Sequence, residues 1–125
     1  MRAVETELTP PPSTIVQGAD ATARLLGRCP QLDALFCSND LLAVGALQTA
    51  RLQGLAVPGR LAVVGFSDLA LAQAVTPALT TVRVGAGALG RRAGELLLRR
   101  LAGAALPRAE RVVDVGFELV PRDSA

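Results

Sequence analysis

Two stretches decide the reading: Ala34–Asp40, A-L-F-C-S-N-D, and Leu61–Asp68, L-A-V-V-G-F-S-D. Each is a short apolar run that stops abruptly at small polar residues. Neither run alternates, and an unbroken apolar run of this length suits a strand covered on both faces. In open α/β sheets, ligands bind beyond the carboxyl ends of such strands. The two runs therefore deliver Ser38, Asn39 and Asp40, and Ser67 and Asp68, to one rim. The remainder of the chain reads as scaffold for that rim.

Working outward, Thr9-Pro10-Pro11-Pro12-Ser13 excludes helix and inner strand, so residues 1–12 are expected to be irregular. Thr14-Ile15-Val16 fits a short strand. Gly18 to Gly27 predicts a helix, with Ala21, Leu25 and Leu26 as its apolar stripe and Gly27 and Pro30 as its stop. Leu41 to Gln53 predicts a second helix, capped by Asn39 or Asp40 and ended by Gly54. Asp40 is the better candidate for a pure cap, because its helix starts at once. Leu61–Phe66 is a strand, Ala70–Val75 one or two helical turns, and Leu79–Val84 a strand of mixed polarity. Ala88 to Ala102 predicts a third long helix with Leu89, Ala93, Leu96, Leu97 and Leu101 along one face; Arg111–Val120 is read as a final strand. This alternation predicts an α/β fold with a parallel, doubly wound sheet.

Composition narrows the function. A chain of 125 residues, half of them hydrophobic, is long enough to bury a core and too apolar for disorder. No apolar run reaches the roughly 18–20 residues that span a bilayer, and Met1–Glu5 carries no signal core, so a cytoplasmic location and no membrane partner are expected. A net charge of +2 with scattered arginines is too small to imply direct nucleic-acid binding. There is no histidine, which removes the usual general base and the commonest metal ligand. Cys29 and Cys37 lack metal spacing and read as reduced thiols. No enzyme activity, metal or cofactor is expected. Phe36 and Phe66 lie within strand runs and are expected in the core.

Three features invite a functional reading. Asn39 offers both donor and acceptor, and Asp68 can accept from two neighbouring hydroxyls, a pairing suited to a polyhydroxylated ligand. Both also fit as helix caps. The second helix is apolar almost all round, so it must be covered by another helix or another subunit as well as by the sheet. Gly85-Ala86-Gly87-Ala88-Leu89-Gly90 spells GxGxxG after a strand and before a helix. Arg83 interrupts that strand and Glu110 precedes the last strand instead of ending it, so the glycines read more simply as a turn.

Several motifs, in order, resemble a known family. They are Ser38-Asn39-Asp40-Leu41-Leu42-Ala43-Val44-Gly45-Ala46-Leu47, Gly54-Leu55-Ala56-Val57-Pro58, Val63-Val64-Gly65-Phe66-Ser67-Asp68 and Pro77-Ala78-Leu79-Thr80-Thr81-Val82, with Arg122-Asp123-Ser124 at the end. Together they closely resemble the effector-binding core of LacI/GalR-family transcriptional repressors, and Asp114–Val120 looks most like the gluconate-utilisation branch. The resemblance implies a partial periplasmic-binding-protein-like fold, mostly its C-terminal subdomain. It assigns residues 13–84 to that subdomain, 85–110 to an orphan helix of the other subdomain, and 111–125 to a returning strand and tail. It places Asn39 at the family's effector-contacting Asn. Ser67 stands where a hydroxyl-binding Asp is usual, and Asp68 follows it. It puts Leu41, Val44, Leu47 and Gln48 in a homodimer interface. A small sugar or sugar-acid effector is implied, with operator DNA reached only through a helix-turn-helix domain that this sequence lacks. A sugar-binding protein without a regulatory role, or less readily a dinucleotide-binding fragment, is the alternative.

Overall fold

A computed structural model describes residues 4–105, 107 and 110–125. Residues 1–3 of the expected irregular stretch, and 106, 108 and 109 of the expected helical segment, lie outside the described residues. The elements are α1 (Ile15–Arg28), β1 (Ala34–Phe36), α2 (Asp40–Leu52), β2 (Ala62–Phe66), α3 (Leu71–Ala74), β3 (Thr80–Arg83), α4 (Ala86–Leu101) and β4 (Glu118–Val120). The strands form one sheet in the order β1-β2-β3-β4. β1 runs parallel to β2, with Phe36 opposite Val64, and β2 runs parallel to β3, with Phe66 opposite Val82. The chain divides into two compact units, Met1–Val82 with Leu119–Ala125, and Arg83–Glu118.

The core of the first unit is built from the apolar face of α2 and the inner residues of β2. Ala43, Ala46, Leu47 and Ala50 of α2 cluster with Leu26, Leu61, Val63, Ala72 and Leu79. Burying a leucine contributes about 2 kcal/mol, and Leu61 and Leu79 are wholly buried.

The sequence leaves open what covers the outer side of α2; the structure supplies α1. The two helices approach closely because glycines face each other at their crossing. A Cβ on Gly45 would run into the carbonyl oxygen of Ile15, and one on Gly18 into the backbone of Leu42. Thr49 Oγ1 then donates to Ala19 O at 3.0 Å, tying the helices further along. Val44 and Leu47 are consequently buried within this chain, whereas Leu41 is half-buried and Gln48 exposed.

Three expectations need correction. Thr14-Ile15-Val16 is not a strand. Thr14 is the N-cap of α1, its Oγ1 accepting from Gln17 N while Gln17 Oε1 accepts from Thr14 N. This capping box, T-x-x-Q, was legible in the sequence. Phe36 is not core: it is 67% exposed, on the face of β1 opposite Leu35, which packs against the core cluster. The last strand is Glu118–Val120 alone. Asp114 Oδ1 accepts from Gly116 N at 2.8 Å and Gly116 takes a positive φ of 71°, a turn that cuts the expected strand short.

The C-terminal residues are stitched into the first unit. The Ser124 hydroxyl accepts from Thr80 N at 2.8 Å and donates to Val63 O at 2.6 Å, and Ser124 O accepts from Val63 N. Ser124 is fully buried as a result. In the second unit, α4 carries Leu89, Leu97, Leu98 and Leu101 exposed, and Arg92 pairs with Glu95 one turn on.

Gly45→Ala is expected to force α1 off α2 and cost about 1–3 kcal/mol, the usual range for overpacking. Urea unfolding followed by circular dichroism checks this; an unchanged midpoint would mean the helices do not approach as closely as described.

Candidate functional site

Parallel pairing in register brings the carboxyl ends of β1 and β2 to one rim. The ladder runs past the strands proper, since Cys37 N donates to Val64 O at 2.8 Å and Ser67 N donates to Val82 O at 2.8 Å. Ser38 and Asn39 follow β1 at this rim, and Ser67 and Asp68 follow β2.

Asn39 is extended and caps α2, its Oδ1 accepting from Leu42 N at 3.0 Å. A side-chain acceptor here satisfies one of the four unpaired N–H groups of the first turn. The Asn39 NH2 group remains as a donor.

Asp40, expected to be a pure cap, does something else. It is fully buried. Its Oδ1 accepts from Thr81 Oγ1 and its Oδ2 from Leu69 N, both at 2.6 Å. One carboxylate thus joins the start of α2, strand β3 and the loop after β2. Its seat exists because position 65 is glycine: a Cβ there would collide with Asp40 Oδ1 and stand 2.9 Å from Leu79 Cδ2.

The loop so held has unusual backbone. Ser67 takes φ 114° and Asp68 φ 52°, both in the region that favours glycine. Non-glycine residues there cost about 1–3 kcal/mol each and persist only when their surroundings hold them. Leu69 N is held by Asp40. Asp68 is held by Arg122, whose Nη2 lies 2.6 Å from Asp68 Oδ1 and whose Nη1 donates to Leu79 O at 2.7 Å. The Asp68 side chain is 6% exposed. Asp68, expected to accept from ligand hydroxyls, turns its carboxylate inward onto a guanidinium. Ser67 is exposed.

At these strand ends Asn39 follows β1, and Ser67 with an ion-paired Asp68 follows the neighbouring β2. Sequence reasoning missed Thr81, Gly65 and Arg122. Arg122 lies 54 positions from its partner, and no local pattern announces such a pair. A cavity of about 940 Å³ in the same unit is lined by Ser38 but by none of Asn39, Ser67 or Asp68.

Cys37, below the rim, is largely buried. Burial, and secondarily the negative charge of Asp40, push its thiol from the ordinary 9.0 to about 11. The glycine triplet of the second unit forms no extended loop: Gly85 is the N-cap of α4, and Gly87 and Gly90 lie inside that helix.

A β-α-β-α sheet with a polar rim at its strand ends defines a ligand-binding α/β module, and comparison with known proteins gives its family. The chain belongs to the family of periplasmic binding protein-like domains, whose model matches residues 2–125. Its homologues are LacI/GalR-family regulators, and it corresponds to their C-terminal effector domain. It is similar to the HTH-type transcriptional regulator GntR of Pseudomonas aeruginosa, 42% identical over 117 residues, which are 94% of this chain and 34% of that protein. Among solved structures it is similar to the transcription regulator GntR from Chromobacterium violaceum, with TM-score 0.79 and 45% identity over 90% of this chain and 41% of the other. A LacI family transcriptional regulator from Arthrobacter sp. FB24, in complex with lactose, matches with TM-score 0.77 and 32% identity over 89% and 41% of the respective chains. The chain spans about a third of the length of the curated relative. Among the described residues, no helix is long and apolar enough to cross a membrane.

Asp40→Ala leaves Thr81 Oγ1 and Leu69 N without their acceptor, and is expected to cost about 2–4 kcal/mol. Denaturant unfolding measures it, and a loss below experimental error would show that the carboxylate does not hold the loop. For Cys37 the sign follows from the raised value. The unfolded chain gives up the thiol proton first, so stability falls as pH rises from about 9 to about 11. At pH 8 the upward shift cuts the thiolate fraction about a hundredfold; mass-spectrometric alkylation rates should show Cys37 correspondingly slow, and reaction at the rate of a free thiol would contradict its burial.

Proposed function

We propose that this chain is the ligand-sensing portion of a LacI/GalR-type transcriptional regulator, and that its effector is a sugar acid or a closely related small sugar. Asn39 and Ser67 contact the ligand, and Asp68 acts by holding the Ser67 turn through Arg122. The observation that carries the reading is the exposed Ser67 at the end of β2, the strand next to the one that Asn39 follows, with the neighbouring carboxylate already paired with a guanidinium at 2.6 Å. A rim without an open carboxylate does not repel an anionic ligand. The start of α2 adds a favourable dipole for negative charge. The lactose complex of the Arthrobacter relative supports a sugar-sized ligand for this fold.

In this reading the complete protein is a cytoplasmic homodimer that reaches operator DNA through a helix-turn-helix domain outside this sequence, and it catalyses nothing. Effector binding shifts the population between two arrangements of subdomains and so the spacing of two DNA-binding heads. Within the proposed α2 dimer face, Leu41 and Gln48 retain exposed surface. Val44 and Leu47 support that face from inside, since this chain already covers them.

Calorimetric titration of an intact regulator carrying Ser67 at this position tests the ligand class. Gluconate-like acids are expected to bind about tenfold or more tighter than neutral hexoses, a difference of about 1.4 kcal/mol, and Ser67→Asp is expected to reverse the order. Tight binding of a neutral hexose with none for the acids would refute the proposal.

A further inference from the structure

The Asp68–Arg122 ion pair is buried at a turn that already has another anchor. The Asp68 side chain is 6% exposed and that of Arg122 13%, with Nη2 2.6 Å from Oδ1. Taking both charges out of water is costly, and apolar packing of the same volume often serves stability as well or better. The turn is also fastened one residue on, where Leu69 N donates to Asp40 Oδ2 at 2.6 Å. Holding the turn does not by itself call for a full charge of each sign.

The guanidinium is offered to Asp68 from a fixed segment. Arg122 N donates to Thr80 Oγ1 at 2.9 Å, and Arg122 Nη1 to Leu79 O at 2.7 Å. Asp123 N donates to Ala78 O at 3.0 Å. The Ser124 hydroxyl lies buried between Thr80 N and Val63 O. Arg122 therefore meets Asp68 at a place that the tail sets. Asp68 directly follows Ser67, so their Cα atoms stand about 3.8 Å apart, and Ser67 is exposed at the end of β2. A unit charge so near a ligand held at Ser67 changes the affinity for an anion about tenfold or more.

We propose that Arg122, acting through Asp68 as a positioning residue, sets the charge class of the ligand. Paired with Arg122, the Asp68 carboxylate leaves no net charge beside Ser67, and a sugar bearing a carboxylate is admitted. Unpaired, the same carboxylate favours a neutral sugar. This rests on the reading above that the ligand meets Ser67, and adds that its charge class is decided from the tail of the chain.

The test is a ladder of charge in an intact regulator with Asn39, Ser67, Asp68 and Arg122 at these positions. Calorimetry gives the ratio of gluconate to glucose affinity in each variant. Arg122→Gln leaves the pair with one negative charge and is expected to lower the ratio about tenfold, through weaker binding of the acid. Asp68→Asn leaves one positive charge and is expected to raise it about tenfold. The double variant carries no charge and brings the ratio back to within about threefold of the original. Arg122→Lys, which keeps the charge, keeps the ratio within the same range. A pair that only holds the turn weakens both ligands alike in both single variants. An unmoved ratio, or shifts in the same direction, therefore overturns the proposal. If circular dichroism shows Arg122→Gln unfolded, Asp68→Asn decides, and a ratio that does not rise overturns it. The unmodified regulator separates this inference from the reading it rests on. A starting preference for glucose refutes the sugar-acid effector, while opposite shifts in the two single variants still support Arg122. A preference for gluconate with an unmoved ratio refutes the role of Arg122 alone, and binding of neither ligand refutes both.

Discussion

The Asp40 carboxylate is the interaction on which the rim depends. It is buried, with no cation in contact among the described residues, and is held by a hydroxyl of β3 and an amide of the loop after β2. A buried charge of this kind is tolerated only when its acceptor sites are filled, and its place in the first turn of α2 adds the helix dipole. Three separate pieces of chain must therefore arrive together before the carboxylate is satisfied. Gly65 is part of the same constraint, because any side chain there would occupy the space of Oδ1. The positive φ values at Ser67 and Asp68 follow from it: the loop is pulled inward at Leu69 by Asp40 and at Asp68 by Arg122.

A second layer of fastening comes from the end of the chain. Ser124 bridges β2 and β3 through its hydroxyl, and Arg122 spans Leu79 O and Asp68. These two residues make the C-terminal segment part of the binding unit although it is remote in sequence. The loop after β2 is thus held at two points, at Leu69 by Asp40 from the start of α2 and at Asp68 by Arg122 from the tail. Ser67, exposed just ahead of these anchors, is displayed on backbone that its surroundings hold in place.

Much of this was legible beforehand, and the failures have specific causes. The two apolar runs marked β1 and β2, and the polar residues ending them marked the rim, because strands and their ends leave a local pattern. Helix α2 was legible as apolar all round, but periodicity states only that cover is needed. Its cover is α1, admitted by Gly18 facing Gly45, a coincidence of two positions 27 apart in the sequence. Phe36 differs for the opposite reason: an unbroken apolar run describes a strand covered on both faces, and nothing in the run says that only the Leu35 face of β1 packs against the core. The place of Asp68 just after β2 follows from the apolar run before it, but its orientation depends on Arg122.

The sequence by itself determined the alternation of strands and helices, the parallel α/β class, the family, and which residues end the first two strands. Hydrophobic runs, caps and turn residues act within a few positions and so leave local signatures. Only the tertiary structure decided that Asp40 is a buried tie, that Asp68 faces Arg122, and that β1 comes at the end of the sheet order. Each of these is set by pairings between residues tens of positions apart, where burial and charge compensation depend on which segments meet in space.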